Sequence, residues 1–545
     1  MRSPLEVLRL YPPHDGSLIG LLQSRVAVAA SRPCLVFEGH SHTYAQVLEA
    51  AARTAAVLAA RGVGAGDRVA VMSHNHPSTV FLLLALASLG AVMVPINPDY
   101  GVAEAHYVLG HAEVCGVVCS AEAWPTVEQA CAGLQQRPWC LLNAAPADAR
   151  EAETPGGIEL LDDLLRQQKA VTPLVPAQAA DVTGLFIYTS GTTGFPKGVM
   201  HSQRTLVAAG ECFVARMHLQ PEDRLLCVLP LFHINAIFYS LAGALAAGAT
   251  LILAPRFSAS RFWSLVHETG ATEVNTIAAA TSILLRRPRS EFRPGHALKK
   301  IYGAPFDAET YRVFQQEFGV QTLIEGYGMS EIPGVLSNPF DGPHRVGSMG
   351  RPSPHPDPSA PLAEPRIADD SGRFLAPGEV GELVVRTPLL MQGYYRDPEQ
   401  TAAAFRDGWF RTGDLAWVDG EGYFWFVARQ KDIIRRRGEN ISGAELDRVV
   451  GSHPAVMEAA AIAVPSELGE DDILVAVVLR PGQQASAEQI GAWCRERLAA
   501  AKVPRYVAWV DSLPHTPTHR VAKFKLRETL AALRAQAVDL EAVQA

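Results

Sequence analysis

The chain has 545 residues, which is too long for one compact core, so its length predicts two or more domains. Hydrophobic residues make up 48% of the sequence and charged residues 19%, a balance that is typical of globular proteins. The formal net charge of −8 gives the chain as a whole no attraction for nucleic acid or for an anionic membrane.

The N-terminal segment and two later apolar stretches decide whether the chain is expected in a membrane. Residues 1–18 (MRSPLEVLRLYPPHDGSL) lack the sustained apolar core of a secretory signal, and prolines interrupt them. The stretches 80–96 and 236–254 are long enough to cross a membrane. Each contains a Gly-Ala step, at Gly90 and Gly248, followed by β-branched or bulky residues. That pattern predicts a buried helix turning into a buried strand, so no membrane span is expected.

Helical patterns alternate with short apolar runs between residues 40 and 280. These runs are Arg68–Met72, 185–188, 225–229 and 250–254. The alternation predicts an α/β fold with largely buried, layered sheets. The segment 133–157 is polar and rich in proline and alanine, and it is expected to form a surface excursion.

The pattern of predicted helices and strands changes after Arg429. Predicted strands lie at 433–434, 456–464 and 473–479, and predicted helices begin at Ser442 and Ser486. Each serine has a capping-box partner three residues later, Glu445 and Gln489. The pattern indicates a small α+β unit of about a hundred residues.

The eight cysteines are scattered along the chain. Cys115 and Cys119 are the closest pair, but they lie in a Val-rich, strand-like run with no histidine at ligand spacing. Reduced, mostly buried thiols are therefore expected instead of structural zinc, and with them a cytoplasmic location.

The most informative segment is the run 188–198 (YTSGTTGFPKG). A predicted strand ends at Tyr188, and glycines and hydroxyl side chains follow it. Such a loop exposes several backbone N–H groups, and Lys197 adds a positive charge, a combination that suits the phosphates of a nucleotide. Lys197 is followed by glycine instead of Ser or Thr, so the segment is not the standard P-loop. A plain Gly/Thr turn is the alternative interpretation.

Further motifs follow in order along the chain. They are PLFHIN (230–235), YGAP (302–305), EGYGMSE (325–331), GEL (381–383), WFRTGD (409–414) and RQKD (429–432). Together with the glycine-rich loop they resemble the adenylate-forming (AMP-binding) superfamily, which includes acyl-CoA synthetases, luciferases and peptide-synthetase adenylation domains. The resemblance covers nearly the whole chain. The segments 393–397 (GYYRD) and 436–442 (RRGENIS) are most similar to the carnitine/crotonobetaine-CoA ligase-like acyl-CoA synthetases.

The resemblance implies a two-domain architecture. A large, multi-subdomain α/β domain with layered sheets is expected over residues 1–430, and a small, mobile α+β domain over residues 431–545. The hinge between them corresponds to Lys431. Gly438 would line the tunnel for CoA, because glycine permits the closest approach of a backbone to a ligand.

The family's nucleotide site maps residue by residue onto this chain. The implied ATP and AMP contacts are Thr189, Ser190, Gly191, Thr192, Thr193, Gly194, Lys197, Gly303, Ala304, Pro305, Glu325, Gly326, Tyr327, Gly328, Ser330, Asp414 and Arg429. Tyr327 offers an aromatic face for adenine, and Glu325 offers a carboxylate to the adenine amino group. Asp414 and Arg429 correspond to the ribose contacts. Glu331 with Thr189 is the implied Mg²⁺ site.

The acyl pocket is also implied by the resemblance. Its expected residues are His233, Asn235, Ala279, Tyr302, Gly328 and Met329. His233 would be a gate beside the carboxylate, although a lone histidine in an apolar setting is usually a core residue. The small residues at 278–280 and the polar Asn235 favour a medium acyl or aryl acid over a long fatty chain.

The C-terminal motif departs from the family pattern. The family carries Thr-Gly-Lys, whereas this chain reads TPTHRVAK at 516–523, with His519 at the glycine position and Arg520 at the lysine position. Arginine keeps the charge but is bulkier and planar. Either Arg520 substitutes for the lysine, or Lys523 reaches the site, or the first half-reaction is altered; our hypothesis is that Arg520 serves. The expected catalytic set is Lys197, His233, Glu331, Arg520 and Lys523.

The predicted function is an ATP- and Mg²⁺-dependent acid–CoA ligase. Its expected partners are a small carboxylic acid and CoA, and the oligomeric state stays open, a homodimer included. One alternative is an adenylate-forming enzyme with another acceptor: a carrier-protein thiol, an amine, or an aryl amine meeting nitrite activated by an ATP-dependent diazotase. A second alternative is a non-catalytic nucleotide-binding regulator. Sequence alone leaves the acid unidentified.

Overall fold

The computed structural model describes residues 1–143, 158–168, 173–175, 179–189, 196–360, 363–436, 439–466, 471–515 and 521–541. The chain forms two compact units. One comprises Met1–Pro365 and Val385–Trp409, and the other comprises Arg366–Val384 and Phe410–Ala545. The expected domain boundary at residue 430 falls inside the second unit, and the hinge at Lys431 stays a prediction.

The helices and strands are numbered in chain order. The described α-helices are α1 (Pro4–Leu8), α2 (Leu18–Ala29), α3 (Tyr44–Ala59), α4 (Pro77–Leu89), α5 (Val102–His111), α6 (Trp124–Ala132), α7 (Leu161–Gln167), α8 (Gln203–Met217), α9 (Ala242–Ala247), α10 (Phe262–Thr269), α11 (Ala278–Arg286), α12 (Ala308–Arg312), α13 (Pro398–Ala403), α14 (Gly443–Gly451), α15 (Ala487–Arg495), α16 (Lys523–Glu528) and α17 (Leu530–Gln536). The described strands are β1 (Pro33–Phe37), β2 (His40–Thr43), β3 (Arg68–Met72), β4 (Val92–Ile96), β5 (Gly116–Cys119), β6 (Trp139–Leu142), β7 (Thr183–Thr189), β8 (Lys197–Ser202), β9 (Arg224–Cys227), β10 (Thr250–Leu253), β11 (Glu273–Asn275), β12 (Lys300–Gly303), β13 (Thr322–Met329), β14 (Ile332–Ser337), β15 (Arg351–Pro352), β16 (Glu364–Ala368), β17 (Gly381–Arg386), β18 (Gly393–Tyr394), β19 (Phe405–Arg406), β20 (Trp409–Val418), β21 (Phe424–Arg429), β22 (Ile433–Arg436), β23 (Glu439–Ser442), β24 (Val456–Pro465), β25 (Asp471–Leu479), β26 (Tyr506–Trp509) and β27 (Val538–Asp539).

Two large sheets organise the first unit. One has nine strands in the order β15-β14-β13-β12-β11-β9-β10-β1-β2, and the other has seven in the order β18-β8-β7-β4-β3-β5-β6. In the nine-stranded sheet β9, β11, β12 and β13 run parallel, so their carboxyl ends meet at one edge. Ligands of open α/β sheets bind at that edge, which makes it the place to look for a site.

The two long apolar stretches fold as the sequence predicts. Helix α4 ends at Gly90, whose φ of 67° forms a left-handed cap, and β4 follows. A π-helical segment, Asn235–Leu241, continues into α9, which ends at Gly248 with the same φ before β10. Within the part of the chain that the structure describes, no helix is long and apolar enough to cross a membrane.

The second unit contains the predicted α+β arrangement of helices and strands. Strand β24 pairs antiparallel with β25, which pairs parallel with β26. The Ser442 side chain accepts a hydrogen bond from the backbone N–H of Glu445 at the start of α14, and Ser486 forms a capping box with Gln489 at the start of α15. Both predicted helix starts are therefore confirmed.

One expectation about the surface is wrong. The first part of the segment 133–157 contains β6, which pairs parallel with β5 and buries Leu141 and Leu142. β6 is the edge strand of the seven-stranded sheet, and the polar residues of this segment lie on either side of the strand in sequence. Residues 144–157 lie outside the described residues. All eight cysteines are free thiols, most of them buried, as the sequence predicts.

Candidate active site

Four parallel strands bring the predicted acyl and adenine residues together. Strand register places Asn275 beside Tyr302 and Gly303 beside Glu325. The PLFHIN motif follows β9 at the same edge of the sheet. Motifs that are distant in sequence therefore meet because each follows a neighbouring parallel strand.

Glu325 is buried at 1% exposure and holds the adjoining loop by hydrogen bonds. Its Oε1 accepts from the backbone N–H of Phe306 at 2.9 Å. Its Oε2 accepts from the Tyr311 hydroxyl at 3.1 Å and from the Gly347 N–H at 3.3 Å. Burial raises the pKa of Glu325 to about 7, and these hydrogen bonds oppose that shift. The carboxylate thus anchors the turn that follows Gly303–Pro305, the predicted adenine wall.

The glycines of the EGYG motif are required by close packing. A Cβ on Gly326 would lie 2.4 Å from the Tyr302 hydroxyl, and a Cβ on Gly328 would lie 2.4 Å from the backbone nitrogen of Gly334. Real side chains do not approach this closely, so glycine at these two positions lets β13 pack against Tyr302 and against Gly334 of β14.

Lys197, Tyr394 and Glu331 form a connected polar group, which we call the phosphate-side cluster. Lys197 begins β8 directly opposite Thr189, the last residue of β7. Its Nζ lies 4.8 Å from the centre of the Tyr394 ring, and the Tyr394 hydroxyl donates a hydrogen bond of 2.8 Å to Glu331 Oε1. Lys197 and Tyr394 also line a cavity of about 190 Å³. The intervening loop, Ser190 to Gly194, lies outside the described residues.

Tyr394 is a candidate site residue that the sequence analysis does not predict. It lies in the GYYRD segment, whose sequence indicates only the resemblance to the family. Strand β18 pairs antiparallel with β8, with Tyr394 beside Val199, and this pairing carries the tyrosine to Lys197. Burial and the neighbouring Glu331 raise the pKa of Tyr394, so its hydroxyl stays protonated and donates.

His201 lies on strand β8 and makes a hydrogen bond to the motif that contains Ser330 and Glu331. Its Nε2 lies 2.6 Å from the Ser330 carbonyl oxygen, and the residue is fully buried. Burial lowers the pKa of His201 to about 4, so the ring is neutral and Nε2–H is the donor. The only signal in the sequence was its position four residues after Lys197.

The predicted acyl residues lie on the π-helical segment and the loop before it, on α11, on β12 and on β13. The His233 N–H donates to the Pro230 carbonyl at 3.0 Å, and Asn235 begins the π-helical segment. Among the described residues the Asn235 Oδ1 is buried and has no hydrogen-bond partner. Ala279 is exposed on α11, and the Met329 Sδ lies 3.9 Å from the Tyr327 hydroxyl. π-Helical turns are frequent at functional sites.

Asp414 and Arg429 pair within the second unit. They face each other across β20 and β21, with Asp414 Oδ1 3.5 Å from Arg429 Nε. Glu382, from the GEL motif, accepts from the Gly413 N–H at 3.1 Å and forms an ion pair of 2.7 Å with Arg411. The GEL motif therefore fixes the part of strand β20 that presents Asp414, a role that its sequence did not reveal.

The remaining C-terminal predictions fall partly outside the described residues, where Gly438, His519 and Arg520 lie. Lys523 is described, and its Nζ forms an ion pair of 2.6 Å with Asp447 Oδ2. Burial raises the pKa of Asp447, and Lys523 opposes that shift. In this conformation Lys523 thus belongs to an ion pair inside the second unit. The backbone of Lys431 lies in a 3₁₀ turn, Gln430–Asp432.

Comparison with known proteins identifies the family. The AMP-binding enzyme family matches residues 22–395, and the AMP-binding enzyme C-terminal domain matches residues 445–520. A sulfoacetate–CoA ligase of Cupriavidus necator is 34% identical over 524 residues, covering 95% of this chain and 99% of the relative. A crotonobetaine/carnitine–CoA ligase of Escherichia coli O9:H4 is 31% identical over 495 residues, covering 89% and 93%.

The fold has close counterparts among solved structures. The ATP-bound structure of MatB from Rhodopseudomonas palustris superposes with a TM-score of 0.81 at 29% identity, covering 94% of this chain and 98% of that one. The anthranilate–CoA ligase AuaEII in complex with anthranoyl-AMP gives a TM-score of 0.83 at 25% identity, covering 95% and 98%. The chain belongs to the AMP-binding enzyme family and is an AMP-forming acid–CoA ligase.

Proposed function

We propose that this ligase activates a small carboxylic acid at the edge of the nine-stranded sheet where its parallel strands end. The phosphate-side cluster binds the phosphates of ATP. The observation that carries the proposal is the connection of Lys197 to Glu331 through Tyr394, since it joins a cation and a carboxylate at one point. A triphosphate with its divalent cation needs both charges there.

The nucleotide is assigned to the residues around β12 and β13. Tyr327 provides the aromatic face for adenine, and Gly303, Ala304 and Pro305 provide the opposite wall, held by Glu325. Asp414 and Arg429 are the proposed ribose contacts. Thr189 and the loop that follows it are assigned to the phosphates.

Glu331 suits Mg²⁺, because it is a buried hard-oxygen donor already oriented by a hydrogen bond. No group of three or more His, Cys, Asp or Glu side chains arranged to hold a metal occurs in the described part of the chain, so we assign the ion to Glu331 together with the phosphates. When bound, Mg²⁺ supplies positive charge against the phosphate oxygens.

The first half-reaction joins the acid to AMP. A carboxylate oxygen of the acid attacks the α-phosphorus, the bond from that phosphorus to the bridging oxygen breaks, and pyrophosphate leaves. Lys197 stabilises the charge that develops on the phosphate oxygens. His233 and Asn235 flank the acyl group. Arg520, in place of the family's lysine, is assigned to this half-reaction.

The second half-reaction transfers the acyl group to CoA. The CoA thiol gives up its proton to solvent, its sulfur attacks the carbonyl carbon of the acyl adenylate, and AMP leaves with the electrons of the acyl–oxygen bond. Gly438 is assigned to the CoA tunnel, and Lys431 to the hinge between the two conformations. The named CoA ligases among the relatives support CoA as the acceptor over an amine, nitrite chemistry or a carrier protein.

ATP–pyrophosphate exchange with a panel of acids tests the proposal. We expect exchange with one class of small acid in the absence of CoA, and AMP with an acyl-CoA once CoA is added. Exchange with nitrite alone, or with an acid that never yields a CoA adduct, would overturn the assigned acceptor. Absence of exchange with every acid would overturn the enzymatic assignment of the site.

A further inference from the structure

Arg216, near the end of α8, is a buried arginine with uncharged surroundings. It is 1% exposed. In the described part of the chain its guanidinium donates to the Gly334 carbonyl at 2.6 Å, the Ser353 hydroxyl at 3.3 Å and the Tyr302 hydroxyl at 3.5 Å, and its Nε has no hydrogen-bond partner. The described ion pairs give this cation no carboxylate.

Burying a cation without a counter-charge is costly, so the surroundings should contain a compensation. Arg25 shows what such compensation looks like, because it is also 1% exposed. Its donors reach the carbonyls of Leu245 and Ala246, in the last turn of α9, where the helix dipole is negative. Arg216 donates to a strand carbonyl and to hydroxyls instead, and its Nε has no acceptor among the described residues.

Aromatic rings surround the Arg216 guanidinium. Its central carbon lies 5.2 Å from the Tyr239 ring and 5.3 Å from the Tyr302 ring. Ring faces attract a cation but balance only part of a full charge. The Arg216 Nε–H, which has no acceptor among the described residues, is therefore the group that an anion would meet.

The location connects Arg216 to the acyl pocket. Tyr302 is an assigned acyl residue at the end of β12, and Tyr239 lies in the π-helical segment one turn after Asn235. Gly334 lies on the third side of the Arg216 guanidinium, and a Cβ added to this glycine would come within 2.3 Å of it. The glycine therefore lets the cation approach β14, behind Tyr302.

We infer that Arg216 recognises a second anionic group at the far end of the acid, so that the substrate class is a short acid bearing an additional carboxylate or sulfonate. The inference rests on the proposed function, because it assumes that the acyl group lies between Asn235 and Tyr302. An anion that reaches this guanidinium meets it away from bulk water, where ionic attraction is strong. A trimethylammonium tail would be repelled by the same charge.

The test compares matched acids by kcat/KM. Sulfoacetate and succinate are the charged arms, methylsulfonylacetate and the monoamide of succinic acid are their uncharged matches, and a trimethylammonium acid is the cationic arm. We expect the wild-type enzyme to favour a charged acid over its match by about 10- to 100-fold, as a charged hydrogen bond allows. The two charged arms separate sulfonate from carboxylate specificity.

Arg216→Met should remove that preference, and Arg216→Lys should keep part of it because the charge remains. Arg25→Met is the matched control: it also removes a buried arginine, and it should lower thermal stability without changing the preference. Thermal unfolding checks that each variant is folded. If Arg216→Met does not fold, the wild-type comparison of charged and uncharged acids still decides.

Two results would overturn the inference alone: a folded Arg216→Met variant with the wild-type preference, or a wild-type enzyme that favours the uncharged acids. If the wild-type enzyme forms AMP with none of these acids but another acid supports ATP–pyrophosphate exchange, the inference fails and the proposed function stands; if no acid supports exchange, both fail. The ATP–pyrophosphate exchange assay distinguishes these cases.

Discussion

The Tyr394 hydroxyl donates a hydrogen bond of 2.8 Å to Glu331, and the face of the same ring lies 4.8 Å from the ammonium group of Lys197. One side chain therefore orients the proposed metal ligand and contacts the proposed phosphate-binding cation. Because the hydroxyl and the ring do different things, single substitutions can separate the two contributions.

Tyr394→Phe keeps the ring beside Lys197 and removes the hydrogen bond to Glu331. We expect the apparent affinity for Mg²⁺ to fall about tenfold, as is typical when the partner of a metal ligand is lost. The measurement is the Mg²⁺ dependence of pyrophosphate release. Tyr395→Phe is the control, since the Tyr395 hydroxyl contacts Glu113 at 3.4 Å. An unchanged Mg²⁺ requirement in Tyr394→Phe would contradict the role given to the hydroxyl.

Lys197→Met removes the positive charge that we assign to the phosphates. The rate of pyrophosphate release should fall by about 100- to 1000-fold, the usual effect of deleting one stabilising group in an active site. Lys197→Arg should recover part of that loss. Lys299→Met, at an exposed lysine, serves as the control. Wild-type rates in the Lys197→Met enzyme would mean that another group stabilises the transition state.

Glu325 gives a pH-dependent stability. Its pKa is raised from 4.5 to about 7 by burial, so between these values the folded state binds more protons than the unfolded state. The free energy of unfolding therefore falls as pH rises through this window, by at most about 1.4 kcal/mol per pH unit. Glu325→Gln lacks the titration, so its melting temperature should rise relative to wild type between pH 5 and 7.

The control for this pH effect is Glu317→Gln. Arg289 and Arg312 lower the pKa of the exposed Glu317, so its contribution is lost only as pH falls below its ordinary range. Between pH 5 and 7 the difference between Glu317→Gln and wild type should stay constant. A constant difference for Glu325→Gln as well would show that Glu325 is ionised throughout that range.

Asp414→Asn tests the proposed ribose contact. Loss of a charged acceptor should raise the KM for ATP by about tenfold or more. Asp419→Asn is the control, because Asp419 lies in the turn between β20 and β21 and accepts a hydrogen bond of 3.0 Å from the Trp425 indole N–H. That variant should lose thermal stability and keep the KM for ATP. The assignment fails if Asp414→Asn binds ATP as the wild-type enzyme does.

A pair of variants distinguishes the catalytic role assigned to Arg520 from the structural role of Lys523. Arg520→Ala should lower pyrophosphate release by about 100-fold while the enzyme still converts supplied acyl adenylate to acyl-CoA. Lys523→Ala should instead lower thermal stability by about 1–3 kcal/mol, because Asp447 loses its partner. A normal rate of pyrophosphate release in Arg520→Ala, with a large loss in Lys523→Ala, would reverse the two assignments.

Local patterns predicted much of the fold. The strand Arg68–Met72 has the bounds expected from its apolar run, and Ser442 and Ser486 cap helices as expected, because these signals act within a few residues. Strand β6 was missed because four residues in a polar segment give too short a pattern. Its burial comes from pairing with β5.

The candidate site was predictable where a motif carries it and unpredictable where tertiary packing does. The role of Tyr394 depends on the pairing of β18 with β8, two strands that are distant in the chain. Arg216 lies in a helix whose sequence does not distinguish a buried arginine from a solvated one. Its burial depends on Tyr302 and Gly334, which belong to other strands.

The fate of a labelled carboxylate oxygen tests most directly whether the enzyme forms an acyl adenylate. The acid that supports ATP–pyrophosphate exchange is prepared with heavy oxygen in its carboxyl group. It is incubated with enzyme, ATP, Mg²⁺ and CoA, and the masses of the products are measured by mass spectrometry. We expect acyl-CoA together with AMP that carries one heavy oxygen, because the carboxylate attacks the α-phosphorus. Heavy oxygen in inorganic phosphate with release of ADP, or unlabelled AMP, would contradict it.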